Sequence, residues 1–348
     1  MTEGSESAGP VARLRDGSSQ PLSSLYDTAL VDLDGVVYIG PDVVPGAAEA
    51  LSEARAAGMR IAFVTNNAAR TPQAVATHLA DLGVPADVTE VVTSAQAAAR
   101  RVGELVPPGA AVLVVGGEGL EAALRDLGLR PVRTAEDGPP RAVVQGFAPQ
   151  VGWELLTEGT IAVRRGVPWV ASNVDLTIPT PRGPAPGNGA LVGVITAATG
   201  AVPEVTGKPE LGLHREAMLR TGATRPLVVG DRLDTDIEGA NRAGVDSLLV
   251  LTGVTGPAEV VGAAEPLRPS YLSDTLAHGL LAPHPAVQEQ RGEWRCGGWV
   301  VRTGADEWDV DGAGDPVDGL RALCAASWSR PAGSERVELS AALGALGW

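Results

Sequence analysis

TALVDLDG, residues 28–35, is a continuous apolar run that ends in two acids one residue apart. Apolar residues on both alternating faces mark a strand buried on both sides, as in the interior of a parallel sheet. The chain on either side fits that placement. VVPGAAEALSEARAAG (43–58) reads as a helix with Pro45 near its start and Gly58 at its end. MRIAFVTNN (59–67) is the next strand, and TPQAVATHLADLG (71–83) a second helix with Thr71 as N-cap and Pro72 at the first helical position. Strand, helix, strand, helix with short connections predicts a right-handed parallel α/β sheet.

The same order returns late in the chain as RPLVVGDR (225–232), DTDIEGANRAG (234–244) and DSLLVLTG (246–253), read as strand, helix and strand. Between the two halves, AAVLVVGGEGLEAALRDLG (110–128), RAVVQGF (141–147), VGWELLTEGTIAVRRG (151–166) and VPWVASN (167–173) repeat strand and helix. One crossover needs only a dozen or more residues. The excess predicts an inserted α/β domain over 81–205, with 25–80 and 206–282 forming the core. Residues 1–24 read as a disordered leader. After residue 284 comes a small α+β lobe (285–348) holding five of the seven tryptophans, Trp294, Trp299, Trp308, Trp328 and Trp348. There EWRCGGWVVR (293–302) reads as a strand and DPVDGLRALCAASWSR (315–330) as an amphipathic helix, and the tryptophans as packing for a little core.

Net charge is −15, which argues against nucleic-acid or acidic-membrane partners, since both require a cationic surface. A small phosphorylated metabolite is still admissible if a metal and local donors offset the repulsion. No signal peptide and no run of about 20 apolar residues is visible. Two cysteines are too few for a disulfide framework, and the four histidines form no metal motif. A cytoplasmic setting is expected, and the lobe's packing surface leaves a homo-oligomer open.

Ligands of open parallel sheets bind beyond the carboxyl ends of the strands. At three such ends stand unusual polar residues: Asp32 and Asp34, then Thr65, Asn66 and Asn67, then Asp231 with Asp236. Converging carboxylates repel strongly, so a bound cation is expected; oxygen ligands without His or Cys point to Mg²⁺. Asp32, nearer the strand body, suits nucleophilic attack with an aspartyl-phosphate intermediate. Asp34, past the bend, suits general acid and base work. Thr65 and the N–H groups of Asn66 and Asn67 would hold phosphoryl oxygens at a strand-to-helix turn. Lys208 is the only lysine beside 26 arginines. A compact ammonium there would sit between nucleophile and phosphoryl group, where a guanidinium fork would crowd the metal.

DLDGVVY, VTNNAAR, GKPE and GDRLDTDIEGA resemble motifs I to IV of the haloacid dehalogenase-like phosphatases, subclass IIA, across residues 25–282. The resemblance implies a flavodoxin-like core with a large α/β cap inserted between motifs II and III. It implies Mg²⁺ on the Asp32 carboxylate, the Asp34 backbone carbonyl and the Asp231 carboxylate, with Asp236 in support. It also implies that Asn173, Asp175 and Ile178, in ASNVDLTIPTPRGPAPGNGALVG (171–193), approach the leaving group. Ile178 suits a compact leaving group. With the C-terminal lobe, similar to a reduced acetyltransferase fold, the pattern resembles glycerol-3-phosphate phosphatases. Phosphoglycolate, sugar phosphates and nucleoside monophosphates are the alternative substrates. QGFAPQVGWELL departs from the common family pattern, in which an acid follows this cap strand.

Three rival readings fit less well. A phospho-receiver switch would carry adjacent acids and its acceptor on a middle strand. VVGGEGLEAAL (114–124) has GGxG and not the GxGxxG spacing of a dinucleotide site. The C-terminal lobe is too short for a whole acetyl-CoA-binding acyltransferase, so packing or oligomerisation is expected of it.

Overall fold

The computed structural model describes residues 10–137, 139–180, 182–304, 307–331 and 337–348. Contacts divide the chain into two compact units, residues 1–61 with 223–348, and residues 62–222. The expected α/β class with parallel sheets is present in both.

In the first unit, the strands Tyr271–Ser273, Asp246–Val250, Pro226–Gly230 and Thr28–Val31 lie side by side in that order. All neighbours run parallel, with Val31 opposite Val229 and Val229 opposite Leu248. Their side chains are almost all buried, as continuous apolar runs require when helices cover both faces. The helices Ala47–Ala56 and Leu276–Leu281 pack together within this unit. Parallel register brings the carboxyl ends of Thr28–Val31 and Pro226–Gly230 level, and the Asp32 N–H donates to Val229 O at 2.8 Å. The acids that follow each strand therefore emerge side by side.

Residues beyond 284 build an antiparallel meander of Gln288–Gln290, Glu293–Cys296, Trp299–Thr303 and Trp308–Gly312, against which the helix Pro316–Trp328 packs. EWRCGGWVVR is therefore two strands and not one. Gly297, with φ of 54°, turns the chain at a conformation that favours glycine. Trp294, Trp299, Trp308 and Trp328 are buried, and they share one core with Leu249, Val260 and Leu272.

The disordered leader expected over 1–24 is corrected where the chain is described; residues 1–9 lie outside the described residues. Pro10–Asp16 and Leu22–Leu25 are helical. Leu14 joins the core shared with the lobe, Leu22 is fully buried, and Arg13 pairs with Asp246 at 3.4 Å. Two leucines in a polar stretch suffice because each meets a ready apolar surface.

In the second unit, Phe63, Val64 and Thr65 of the strand Arg60–Thr65 pair in parallel with Val91–Thr93, Thr65 opposite Thr93. A separate five-stranded parallel sheet follows the order Glu204–Val205, Trp169–Ala171, Ala142–Gln145, Ala111–Val115, Arg130–Val132. The helices Ser94–Leu105 and Glu118–Asp126 cover one face through Ala95, Ala98, Val102, Leu120 and Leu124. Trp153–Arg164 and Asn188–Thr199 cover the other through Ala162, Val163, Val192 and Ile195.

Arg321 ties the lobe helix to the sheet. Buried, it donates through Nε and Nη2 to Leu272 O, through Nη1 to Asp318 and through Nη2 to His284 Nδ1. His284 Nε2 donates to Gly279 O at 2.8 Å, so the network assigns the neutral Nε2–H tautomer. Burial, and then the Arg321 charge, push the His284 pKa down to about 4. The unfolded chain takes up this proton near pH 6.5 and the folded chain only near 4. Stability from this group is thus complete above the unfolded value and is lost as pH falls through the folded one, to the extent of about 3 kcal/mol. Urea titrations between pH 7 and 4 should show that loss, and His284→Gln, which keeps an acceptor and a donor, should flatten it. Equal pH slopes for the two proteins would remove His284 from the account.

Candidate active site

Asp32, Asp231 and Asp236 each present an oxygen, and these oxygens lie within 4.8 Å of one another. Two elements of sequence produce the cluster. Level strand ends place Asp32 beside Asp231, and the chain after Pro226–Gly230 then winds as a π-type turn, Leu233–Ile237, before the α-helix Glu238–Ala243. This differs from the single regular helix expected over 234–244. The wider turn carries Asp236 back toward the strand end, a feature that recurs at functional sites. Gly230 makes the return path passable, since a Cβ there would collide with the Asp236 side chain. The Arg232 N–H donates to Asp236 Oδ2 at 3.2 Å. Asp231 is 1% exposed and Asp236 0% exposed. Asp234, by contrast, faces Arg232 at 2.8 Å, and that hydrogen bond holds its carboxyl below the usual range.

The donor set is oxygen alone, carried by three carboxylates, among which the deepest two are shut off from bulk water. Such a set fits a small hard cation such as Mg²⁺ and suits no soft metal. Asp34 is exposed at the bend beyond the cluster. Its following peptide is fixed by Gly35 N–H donating to Tyr38 O at 2.8 Å.

In the second unit a polar group gathers around Asn66. Asn66 Oδ1 accepts the Lys208 N–H at 2.8 Å, while Nδ2 donates to Lys208 O and to Asp175 Oδ2, each at 3.2 Å. Asn66 O accepts from Ser94 Oγ at 2.6 Å and from Asn173 Nδ2 at 2.8 Å. Lys208 is 4% exposed, and its Nζ donates to Val64 O at 3.3 Å. The ammonium thus lies at the carboxyl end of Arg60–Thr65, where Thr65 is also buried. Asn66, Asn173, Asp175 and Lys208 form one assembly in this way, with Thr65 following Val64 at the strand end. Ile178 stands on the small hairpin of Thr177–Ile178 and Ala185–Pro186, partly exposed.

Asn66 and Asn67 do not stand at the helix N-terminus. The helix Pro72–Asp81 starts later, capped by Thr71 Oγ1 accepting from Ala74 N. Asn67 instead closes a turn, its Oδ1 accepting from Ala69 N and Arg70 N, and its N–H donates to Thr65 Oγ1 at 3.1 Å. Ser94 and Gly207 were not read from the sequence. Gly207 gives way to Ser172 O and Asn66 Oδ1, with which a Cβ would clash. A glycine immediately before a singular lysine was the available signal.

Residues 29–130 match the family of haloacid dehalogenase-like hydrolases, and residues 205–278 match a HAD-hydrolase-like family. Residues 296–348 match a GCN5-related N-acetyltransferase-like domain. The chain is 45% identical to D-glycerol 3-phosphate phosphatase of Mycobacterium tuberculosis over 87% of its own length and 86% of that protein's. It is 36% identical to 5'-nucleotidase YutF of Bacillus subtilis, over 72% and 96%. A crystal structure of glycerol phosphate phosphatase from Mycobacterium tuberculosis with magnesium superposes with a TM-score of 0.83 at 43% identity, covering 94% of this chain and 99% of that one. The p-nitrophenyl phosphatase of Archaeoglobus fulgidus gives 0.66 at 31%, over 72% and 97%. The chain belongs to the haloacid dehalogenase-like hydrolases. Two of these relatives, those of Mycobacterium tuberculosis and Archaeoglobus fulgidus, are named phosphatases.

Asn66→Ala strips the Lys208 backbone of both its amide partners. It should lower stability by about 1–3 kcal/mol, since buried polar groups are left unsatisfied. Urea denaturation checks this, and a midpoint unchanged from the parent would show that the clamp carries no weight.

Proposed function

We propose that this hydrolase is a Mg²⁺-dependent phosphomonoesterase of the cytoplasm, with glycerol 3-phosphate as its substrate. The observation that carries the reading is the convergence of Asp32, Asp231 and Asp236 within 4.8 Å. The proposed division has residues 25–80 and 206–282 as catalytic core, 81–205 as cap and 285–348 as a lobe for packing or self-association. Among the described residues no helix is long and apolar enough to cross a membrane.

Asp32 is the proposed nucleophile. Its carboxylate oxygen bonds to phosphorus as the bond from phosphorus to the ester oxygen breaks. Asp34, protonated at this stage, delivers its proton to the departing alkoxide. Asp34 then takes a proton from water, whose oxygen attacks the aspartyl phosphate; the bond to Asp32 breaks and inorganic phosphate leaves. Thr65, Asn66 and Asn67 are assigned to phosphoryl binding, and Lys208 to neutralising charge on the nucleophile and the transferring group. Mg²⁺, when bound by Asp32, the Asp34 carbonyl and Asp231 with Asp236 in support, supplies charge neutralisation for the phosphoryl oxygens. Asn173, Asp175 and Ile178 are assigned to the leaving group. Identity of 45% to a D-glycerol 3-phosphate phosphatase supports glycerol 3-phosphate as that group's source.

Asp32→Asn should reduce phosphate release to background while the circular dichroism spectrum stays that of the parent; appreciable turnover would remove Asp32 as nucleophile. Lys208→Arg should also lose most activity despite keeping its charge. EDTA should silence the parent enzyme and Mg²⁺ restore it. Release of phosphate should be compared across glycerol 3-phosphate, phosphoglycolate, sugar phosphates and nucleoside monophosphates. The highest kcat/KM is expected for glycerol 3-phosphate, and a nucleotide or sugar phosphate ahead of it would reassign the substrate.

A further inference from the structure

The turn after the strand Asp246–Val250, residues 251–255, has no place in the four motifs, yet it closes around Asp231. The Val254 N–H donates to Asp231 Oδ2 at 2.7 Å, and the Thr255 N–H donates to Asp231 O at 3.2 Å. Thr252 Oγ1 donates to Gly35 O at 2.6 Å. Two glycines line the socket. A Cβ at Gly253 or at Gly35 would collide with Asp231 Oδ2. Gly35 is held at φ of 83° besides, so the bend after Asp34 both admits the Asp231 carboxylate and needs a residue without a side chain.

We propose that Thr252, Gly253 and Val254 are positioning residues for the cation site, fixing the Asp231 carboxylate and the Asp34–Gly35 backbone in one frame. The inference rests on the cation-binding reading of Asp32, Asp231 and Asp236. A backbone N–H on Oδ2 is a charge-assisted bond, and it commits that oxygen to the turn. Tied in this way, the carboxylate holds one orientation toward the cluster. The same turn reaches the second ligand. A trans peptide is planar, so Gly35 N–H pointing at Tyr38 O sends the Asp34 carbonyl the opposite way. Thr252 fixes the next peptide by holding Gly35 O. A carboxylate and a carbonyl from separate strands thereby acquire a fixed separation. Mg²⁺ tolerates little departure from ideal octahedral geometry, so such a frame bears directly on affinity.

The test is calorimetric titration of Mg²⁺ into the full chain and three variants. Thr252→Val keeps the shape and removes the hydroxyl donor; Gly253→Ala pushes a methyl against Asp231 Oδ2; Thr252→Ser restores the hydroxyl. Outer-shell partners of metal ligands are worth about 10–100-fold in affinity. Thr252→Val and Gly253→Ala should each weaken Mg²⁺ binding about ten-fold or more, and Thr252→Ser should stay within about two-fold of the parent. A merely structural turn would lower the Tm of the metal-free protein and leave the Mg²⁺ Kd alone. That result, with folded variants binding within about two-fold of the parent, overturns the proposal. If Gly253→Ala does not fold, the Thr252 pair decides by itself. A parent chain that binds no Mg²⁺ at millimolar concentration sinks the cation reading, whereas a parent that binds normally beside indifferent variants sinks only the role of the turn.

Discussion

Three carboxylates held within 4.8 Å of one another, two of them shut off from bulk water, repel each other strongly. Everything at the carboxyl end of the first sheet is arranged around that repulsion. The chain tolerates it because each acid is anchored by backbone: Asp32 through its own N–H to Val229 O, Asp231 through Val254 N–H, and Asp236 through Arg232 N–H. Two of these anchors act on the carboxylate itself. Each of the three anchors is a main-chain N–H. The overall charge of −15 makes the choice more pointed, since acidic surroundings also favour a bound cation.

Close approach of the acids depends on what the neighbouring residues lack. Gly35 and Gly253 leave room for Asp231, and Gly230 leaves room for Asp236. These three positions come from three separate strand ends. The cluster is therefore a property of the sheet's register, with Val31 opposite Val229 and Val229 opposite Leu248, and a slip by one residue would carry the strand ends out of level and disperse the acids.

This division also explains what could be read from the chain. TALV and PLVVG announce buried strands because both faces are apolar, and the acids after them announce a ligand rim, so Asp32, Asp231 and Asp236 were legible one by one. Their convergence on one rim is an expectation of the sequence as well; what it hides is the π-type turn at Leu233–Ile237 that carries Asp236 back, because such a turn leaves no mark in hydrophobic period. The turn at 252–254 went unread for a like reason: its work is done by N–H groups and a missing Cβ, neither of which a residue type advertises. The leader misled because its burial comes from two isolated leucines, Leu14 and Leu22, too few to set a period. Gly297 and Gly298 in EWRCGGWVVR were a visible turn signal passed over because apolar residues flank them evenly.

Lys208 shows the same dependence on main chain from the other unit. Asn66 grips its N–H and its carbonyl at once, which fixes the peptide on both sides of the side chain. With the stem's root immobile and the residue 4% exposed, the side chain has little room to move, and its Nζ donates to Val64 O. A guanidinium on that root would need room for a planar fork with five donors, all to be satisfied in a site closed to water. In a chain that uses arginine for every other cation, the single lysine stands where the backbone has fixed one end of the side chain and burial has limited the other. The composition carries that constraint, and the hydrogen bonds of Asn66 give it a cause.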